Sequence, residues 1–172
     1  MISLIFLSYN SEKHILRILN NLKYEDEIIV IENSLNEKIK NLESKYKNLK
    51  VIMPKENLGF GGAVNLGIKL SKNDFVFINP ADIEISNNLI QALTEIVKNF
   101  KDFALLTPSY DNIDIHSNYF IFDEKDQISV KTNHKDYILN EVDIIDGTIL
   151  LNKNEFVGEI FDENFFIYFE TW

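Results

Sequence analysis

Cysteine is absent, so neither disulfides nor thiolate metal sites hold this chain together. Basic residues are few: 17 Lys and Arg stand against 27 Asp and Glu, a formal net charge of −10. A duplex nucleic-acid binder usually carries a basic face, so the balance argues against that class. It leaves room for a nucleotide ligand, because a bound metal can reverse the local sign of a small pocket. No apolar run approaches the roughly 20 residues of a membrane span. The opening Met1-Ile2-Ser3-Leu4-Ile5-Phe6-Leu7 is apolar but short, has no basic flank and meets Ser8-Tyr9-Asn10 at once. It reads as a strand rather than a signal peptide, and the expected location is cytoplasmic. The histidines His14, His116 and His134 are scattered without helical ligand spacing, which speaks against zinc. No Gly-x-Ser-x-Gly elbow supports serine hydrolase chemistry.

What remains is the composition of an ordinary globular protein, 45% hydrophobic and 26% charged over 172 residues. That length suits a single domain, 1–172, with a substantial core. Ile2 to Leu7 predicts a first strand, and Ser11 caps a helix whose Ile15, Leu16, Leu19 and Leu22 share one face. Glu27 to Ile31 predicts a second strand, followed by a helix over 36–46 with Leu35, Ile39, Leu42 and Tyr46 on one face. Leu49 to Met53 is a third strand, ended by Pro54. Farther on, Ser86 caps a long helix bearing Leu89, Ile90, Leu93, Ile96, Val97 and Phe100, and Phe103 to Leu106 is another strand. Alternating strands and helices with short connections predict a mainly parallel sheet covered on both faces. From 109 to 145 the pattern breaks into short segments, including Tyr119-Phe120-Ile121-Phe122 and Ile128-Ser129-Val130, which suit antiparallel strands or a lid-like excursion. Val142 to Leu151 returns to strand character, interrupted at Asp146-Gly147.

The organising stretch is 57–84: a glycine-rich turn, a helix over 62–72, and the buried strand Phe75-Val76-Phe77-Ile78 that runs into Asn79, Pro80, Ala81, Asp82 and Glu84. Glycine is scarce, six residues in all, yet Gly59, Gly61 and Gly62 fall together here. They serve either close helix–strand packing or the approach of a ligand to backbone. The turn is not a P-loop, since no Gly-Lys-Ser/Thr follows, and it lies too late for a dinucleotide fingerprint. Ligands of open α/β sheets bind at the carboxyl ends of strands, which is where Asp82 and Glu84 fall. Those two carboxylates are hard oxygen ligands for Mg or Mn, or simply a solvated loop. Glu32, past the second strand, can accept hydrogen bonds from a nucleobase or ribose, or serve as a solvated or capping acid. Glu170, beyond the aromatic Phe165 to Phe169, is a candidate general base.

In combination these pieces resemble the family 2 glycosyltransferases of the GT-A fold, especially the rhamnosyltransferase-like branch. The resemblance rests on Ser8-Tyr9-Asn10, Ile29-Val30-Ile31-Glu32-Asn33-Ser34, the block Asn57-Leu58-Gly59-Phe60-Gly61-Gly62-Ala63-Val64-Asn65-Leu66-Gly67-Ile68, Phe77-Ile78-Asn79-Pro80-Ala81-Asp82, and Val157-Gly158-Glu159-Ile160-Phe161-Asp162-Glu163-Asn164-Phe165-Phe166-Ile167-Tyr168-Phe169-Glu170. It implies a Rossmann-like, mainly parallel sheet with helices on both faces and a small antiparallel portion toward the C-terminus. It also implies a nucleotide-sugar-binding half, 1–106, and a shorter acceptor-side half, 107–172. The activity implied is transfer of a sugar from a UDP- or dTDP-sugar to a glycan or lipid-linked acceptor, inverting, in surface polysaccharide synthesis, with Mn or Mg as cofactor. Peripheral membrane association and a homo-oligomer are compatible with it. Carried over by position, donor binding falls to Ser8, Tyr9, Asn10, Glu32, Asn33, Asn57, Gly59, Gly61, Gly62, Asn65, Asn79 and Asp82, the metal to Asp82 and Glu84, and catalysis to Glu170.

Three positions depart from the family pattern. Glu32 stands for the usual Asp, Ala81 pushes Asp82 one place late in Asn-Pro-Asp, and Glu170-Thr171 replaces Glu-Asp. These departures support a second reading, a degenerate nucleotide-sugar-binding module that partners an active transferase. A nucleotidyltransferase on a related fold is a third, weakened by the lack of a basic phosphate-gripping motif near the first strand.

Overall fold

The computed structural model describes residues 1–108, 119–120, 127–132, 135–142, 144–145 and 147–165. Strand β1 (Ile2–Ser8) leads to helix α1 (Glu12–Asn21), then β2 (Ile28–Glu32), a 3-10 helix (Glu37–Ser44) and β3 (Leu49–Ile52). Helix α2 (Gly59–Leu70), β4 (Phe75–Pro80) and α3 (Asn87–Asn99) follow. Short strands complete the chain: β5 (Leu105–Leu106), β6 (Tyr119–Phe120), β7 (Gln127–Val130), β8 (Tyr137–Asn140), β9 (Ile144–Ile145) and β10 (Ile149–Asn152), with a last 3-10 turn at Lys153–Glu155.

The main sheet has the order β3-β2-β1-β4-β10-β5. Its first four strands pair in parallel, and β10 runs antiparallel to both neighbours. Two small antiparallel pairs, β6–β9 and β7–β8, lie outside it. The expected mixed α/β sheet, parallel first and antiparallel toward the C-terminus, is therefore present. The strand order reverses between β1 and β4: the chain steps outward from β1 to β3, then returns to the other side of β1. Such a switch point opens a crevice at the carboxyl ends of the strands.

Alternate strand residues face opposite layers. Leu4, Phe6, Val30 and Phe77 pack with α1, α3 and the 3-10 helix, whereas Ile5, Ile29, Ile31, Val76 and Ile78 pack with α2. Both faces are covered, which is why these strands read as unbroken apolar runs. Helix α2 comes especially close. A Cβ built at Gly67 would stand 2.8 Å from Ile5 Cγ2 and 2.9 Å from its Cδ1. Ile5 is fully buried and has nowhere to yield.

Some boundaries differ from the sequence-based expectation. The helix expected over 36–46 is a 3-10 helix, capped by the Asn36 side chain, which accepts from Lys38 N. Its two buried residues, Ile39 and Leu42, are three apart, the spacing that a 3-10 turn brings onto one side. Leu35, expected on that apolar face, precedes the turn with φ 60° and is exposed. Helix α2 starts at Gly59, ahead of the expected 62, and the strand expected over 103–106 is reduced to β5. Ser86 caps α3 as expected, accepting from Leu89 N at 3.1 Å. No described helix is long and apolar enough to cross a membrane. Of the Tyr119–Phe122 segment, residues 121 and 122 lie outside the described residues.

The amino end of the sheet carries a buried polar knot. Glu27 accepts from Ser3 Oγ at 2.7 Å and from Lys72 N at 2.7 Å, with Lys72 Nζ at 3.5 Å. Burial works to raise the Glu27 pKa, but the backbone donor of Lys72, the Ser3 hydroxyl and the Lys72 charge together hold it below its ordinary value.

Two outcomes follow. Gly67→Ala should cost about 1–3 kcal/mol by overpacking, seen as a lower urea midpoint at unchanged slope. Because Glu27 is more acidic folded than unfolded, its contribution is full above about pH 4.5 and is lost as pH falls through the folded value. Urea midpoints at pH 7, 4 and 3 should therefore fall more steeply in wild type than in Glu27→Gln.

Candidate functional site

Three strand ends and one helix start converge at the carboxyl edge of the sheet. The β1 exit, Ser8-Tyr9-Asn10, turns through a left-handed Asn10 (φ 53°). The β2 exit lies beside it, with Asn33 N donating to Ser8 O at 2.8 Å. Asn33 then reaches across to the start of α2. Its Nδ2 donates to Gly59 O at 2.8 Å, and its Oδ1 accepts from Leu58 N at 3.3 Å. Asn57 closes the same turn by accepting from Gly59 N at 3.0 Å. Gly59 has φ 69°, a conformation that disfavours any side chain.

The β4 exit is held from below. Ala81 N donates to Leu7 O at 2.9 Å, and Ile83 N to Pro80 O at 3.1 Å. The fully buried Asn79 donates to Pro80 O at 2.7 Å and Ile83 O at 2.8 Å, while its Oδ1 accepts from Thr148 Oγ1 at 3.1 Å. Asp82 sits on this tied loop.

Between these elements lies a cleft of about 580 Å³. Leu7, Phe60, Pro80 and Ala81 supply apolar wall; Ser8, Tyr9, Asn33, Asn57 and Asp82 supply polar groups. Ser11 and His14 line it from the start of α1. Among the described residues, Asp82 is the only carboxylate of the lining and His14 the only side chain there able to carry positive charge.

The structure thus brings six predicted residues to one cleft: Ser8, Tyr9, Asn33, Asn57, Gly59 and Asp82. Asn10, Glu32, Gly61, Gly62, Asn65, Asn79 and Glu84 do not line it. Glu32 was expected beside a nucleoside, but its carboxyl group is fully buried. It accepts from Ser8 Oγ, Ser34 N and Ser34 Oγ and so joins two loops. The Asn10 backbone N–H is bonded to Ser34 Oγ at 3.1 Å. Gly61 and Gly62 are buried in α2, and a Cβ at Gly62 would stand 3.1 Å from Leu58 Cβ. At Gly62 the close approach serves packing, the first of the two uses the glycine spacing allowed. Asn79 organises the β4 exit and contributes no atom to the lining.

Asn65 has a different partner from the expected donor. Its Nδ2 donates to Phe161 O at 2.8 Å and Glu163 Oε1 at 3.0 Å, and its Oδ1 accepts from Ile160 N at 3.3 Å and Phe161 N at 3.1 Å. It fastens the 160–163 segment onto α2. There Phe161 meets Phe60 edge-on, ring centroids 6.1 Å apart. Glu84 is paired with Arg17 Nη2 at 2.8 Å rather than with Asp82 in the lining. No group of three His, Cys, Asp or Glu able to hold a metal occurs among the described residues. Glu170 lies outside the described residues.

Sequence reading passed over Ser11 and His14 as site residues, and took Phe60 only as part of the 57–65 block. His14 was weighed only as a zinc ligand; its place in the first turn after the β1 exit was the available signal.

Asn65→Ala should release the 160–163 segment. Amide exchange at Ile160 and Phe161 should accelerate well beyond the average change, while β1 amides keep their protection.

The sequence model described as Glycosyl transferase family 2 matches residues 3–161. No match is found among curated proteins. Among solved structures, S. aureus TarS residues 1–349 match with 26% identity and TM-score 0.54, over 69% of this chain and 39% of that one. The same TarS fragment in complex with UDP-GlcNAc matches at 25% identity and TM-score 0.54, over 74% and 40%. In complex with UDP it matches at 20% identity and TM-score 0.64, over 97% of this chain and 52% of that one. A mannosyltransferase from Pyrobaculum calidifontis, in complex with GDP-Man and Mn2+, matches at 17% identity and TM-score 0.53, over 66% and 36%. The chain spans 39% to 52% of the length of these TarS fragments.

Proposed function

Because this chain belongs to glycosyl transferase family 2, we propose that its cleft binds the nucleoside diphosphate of a sugar donor, UDP- or dTDP-linked, and that the chain transfers the sugar to a glycan or lipid-linked acceptor. One observation carries the reading: the exits of β1, β2 and β4 and the start of α2 meet in a single cleft with Asp82 on its wall. The TarS relative bound to UDP-GlcNAc and UDP supports the choice of ligand.

The donor set fits a divalent cation in one particular way. A lone carboxylate holds Mg or Mn weakly, and a site of this kind is completed by substrate phosphates. Asp82 would hold the ion together with the donor diphosphate, and Glu84, engaged by Arg17, would stay outside. When bound, the cation supplies positive charge to the departing diphosphate. The chain's own residues do the positioning. Asn33 and Asn57 fix the α2 start, Asn79 fixes the Asp82 loop, and Phe60 and Leu7 exclude water from one wall.

In this reading the acceptor hydroxyl displaces the diphosphate at the anomeric carbon in one step, with inversion, and Glu170 takes its proton. The rhamnosyltransferase-like motifs favour a role in polysaccharide synthesis on the cytoplasmic side. A second reading, a binding module without turnover, is favoured by one observation: Asp82 is the only acid among the described residues of the cleft lining.

Calorimetric titration of UDP and dTDP, with and without Mn, tests the first reading. One nucleotide should bind in a metal-dependent way, and Asp82→Ala should weaken it at least about tenfold. Binding by neither nucleotide sinks the donor site. Slow metal-dependent hydrolysis of the donor sugar would favour the enzyme, and binding without any hydrolysis the module.

A further inference from the structure

The loop that carries Asp82 is bounded on both sides by one side chain. Asn79 Nδ2 donates to Pro80 O at 2.7 Å and to Ile83 O at 2.8 Å, so the carbonyls before and after Ala81-Asp82 are tied to the same nitrogen. Asp82 itself is exposed, and among the described residues no partner holds its carboxylate. Its aim is therefore set by the backbone that carries it. Asn79 can hold both carbonyls only with its amide nitrogen turned toward them, which turns Oδ1 the other way. There Oδ1 meets Thr148 Oγ1 at 3.1 Å. An amide oxygen only accepts, so the Thr148 hydroxyl must donate. Asn79 and Thr148 are 0% and 1% exposed, and the bond between them is closed to bulk solvent. Thr148 is in turn fixed from its far side, where Thr107 Oγ1 donates to its carbonyl at 2.8 Å. It stands immediately before β10, whose Ile149 pairs with Ile78, the residue before Asn79. A line of hydrogen bonds thus runs from the end of β5 past the start of β10 to the Asp82 loop.

Resting on the donor-binding reading above, we propose that Thr148 is a positioning residue for the cation and the diphosphate: through Asn79 it fixes the loop that presents Asp82. Thr148 is buried and lines no part of the cleft. Without its hydroxyl the Asn79 amide has two poor choices. It keeps its direction and leaves a buried oxygen without this donor, or it flips and sets that oxygen against two carbonyl oxygens. Either choice favours rearrangement between Pro80 and Ile83, and Asp82 loses its aim. Outer partners of metal ligands tune metal affinity in this way.

The test compares Thr148→Val, which keeps the shape and drops the hydroxyl, with Thr148→Ser, which keeps the hydroxyl. UDP and dTDP are titrated calorimetrically with and without saturating Mn. The factor by which Mn tightens nucleotide binding should shrink about tenfold in Thr148→Val, the lower edge for outer partners of a metal ligand, and be retained in Thr148→Ser. General damage to the cleft would weaken both arms and leave that factor unchanged. In the protein without ligand, amide exchange at Ala81 and Ile83 should accelerate in Thr148→Val while β1 amides keep their protection. Thermal midpoints check that each variant is folded; if Thr148→Val is not, Thr148→Ser and Thr148→Ala, which differ by the hydroxyl alone, carry the test. A factor unchanged in Thr148→Val, or one that shrinks as much in Thr148→Ser, overturns the proposal and leaves donor binding intact. Wild-type binding that gains nothing from Mn does the same. Binding of neither nucleotide by wild type overturns both.

Discussion

The register of β1 against β2 is pinned at both ends by the same kind of pair. At one end Ser3 donates to buried Glu27, at the other Ser8 donates to buried Glu32. Between them the two strands are apolar and enclosed, so each serine–glutamate pair adjoins a dry interior. A slip of one residue would turn every side chain of β1 to the opposite layer and would leave each of two buried carboxylates without its serine donor. Because β1 lies at the centre, β4 takes its register from it on the other side, and Gly67 lets α2 settle on Ile5. The cleft is where this fixed body stops.

Much of what the family motifs contribute lies behind the cleft wall. Asn33, itself in the lining, binds backbone groups of the α2 start, while behind the wall Asn79 binds those of its own strand's exit and Asn65 those of the 160–163 stretch. Loops that carry ligand-facing atoms have few partners of their own, and asparagine, with an acceptor and two donors on one short stem, is suited to supply them. A motif asparagine can therefore be essential to a site without facing it.

That division accounts for what was legible in the sequence. The parallel half of the sheet could be read directly, since an unbroken apolar run as short as Ile28-Ile29-Val30-Ile31, set between helices, has the length of a strand covered on both faces and is too brief for a buried helix. The GT-A fold followed from motifs in order. The place of Asp82 was also readable, because strand ends and ligand sites coincide in such sheets. What could not be read was direction. Glu32 and Asn65 were assigned to the ligand because polar residues in motifs are expected to face one, and only the pairing of β1 with β2, or of α2 with residues 160–163, shows that protein atoms reach them first. Nor could period alone separate a 3-10 turn from an α-helix at Ile39 and Leu42, which share a face in either.

The antiparallel strand β10 lies between β4 and β5 in the sheet although a long stretch of chain separates it from both. During synthesis β1 to β4 can assemble as soon as they emerge, but Ile78 has no partner on its outer side until Ile149 arrives. For that interval β4 offers an unpaired, apolar edge to any neighbouring chain. The growing chain thus passes through a stage in which the cleft-forming strands can pair while the sheet is still open on one side.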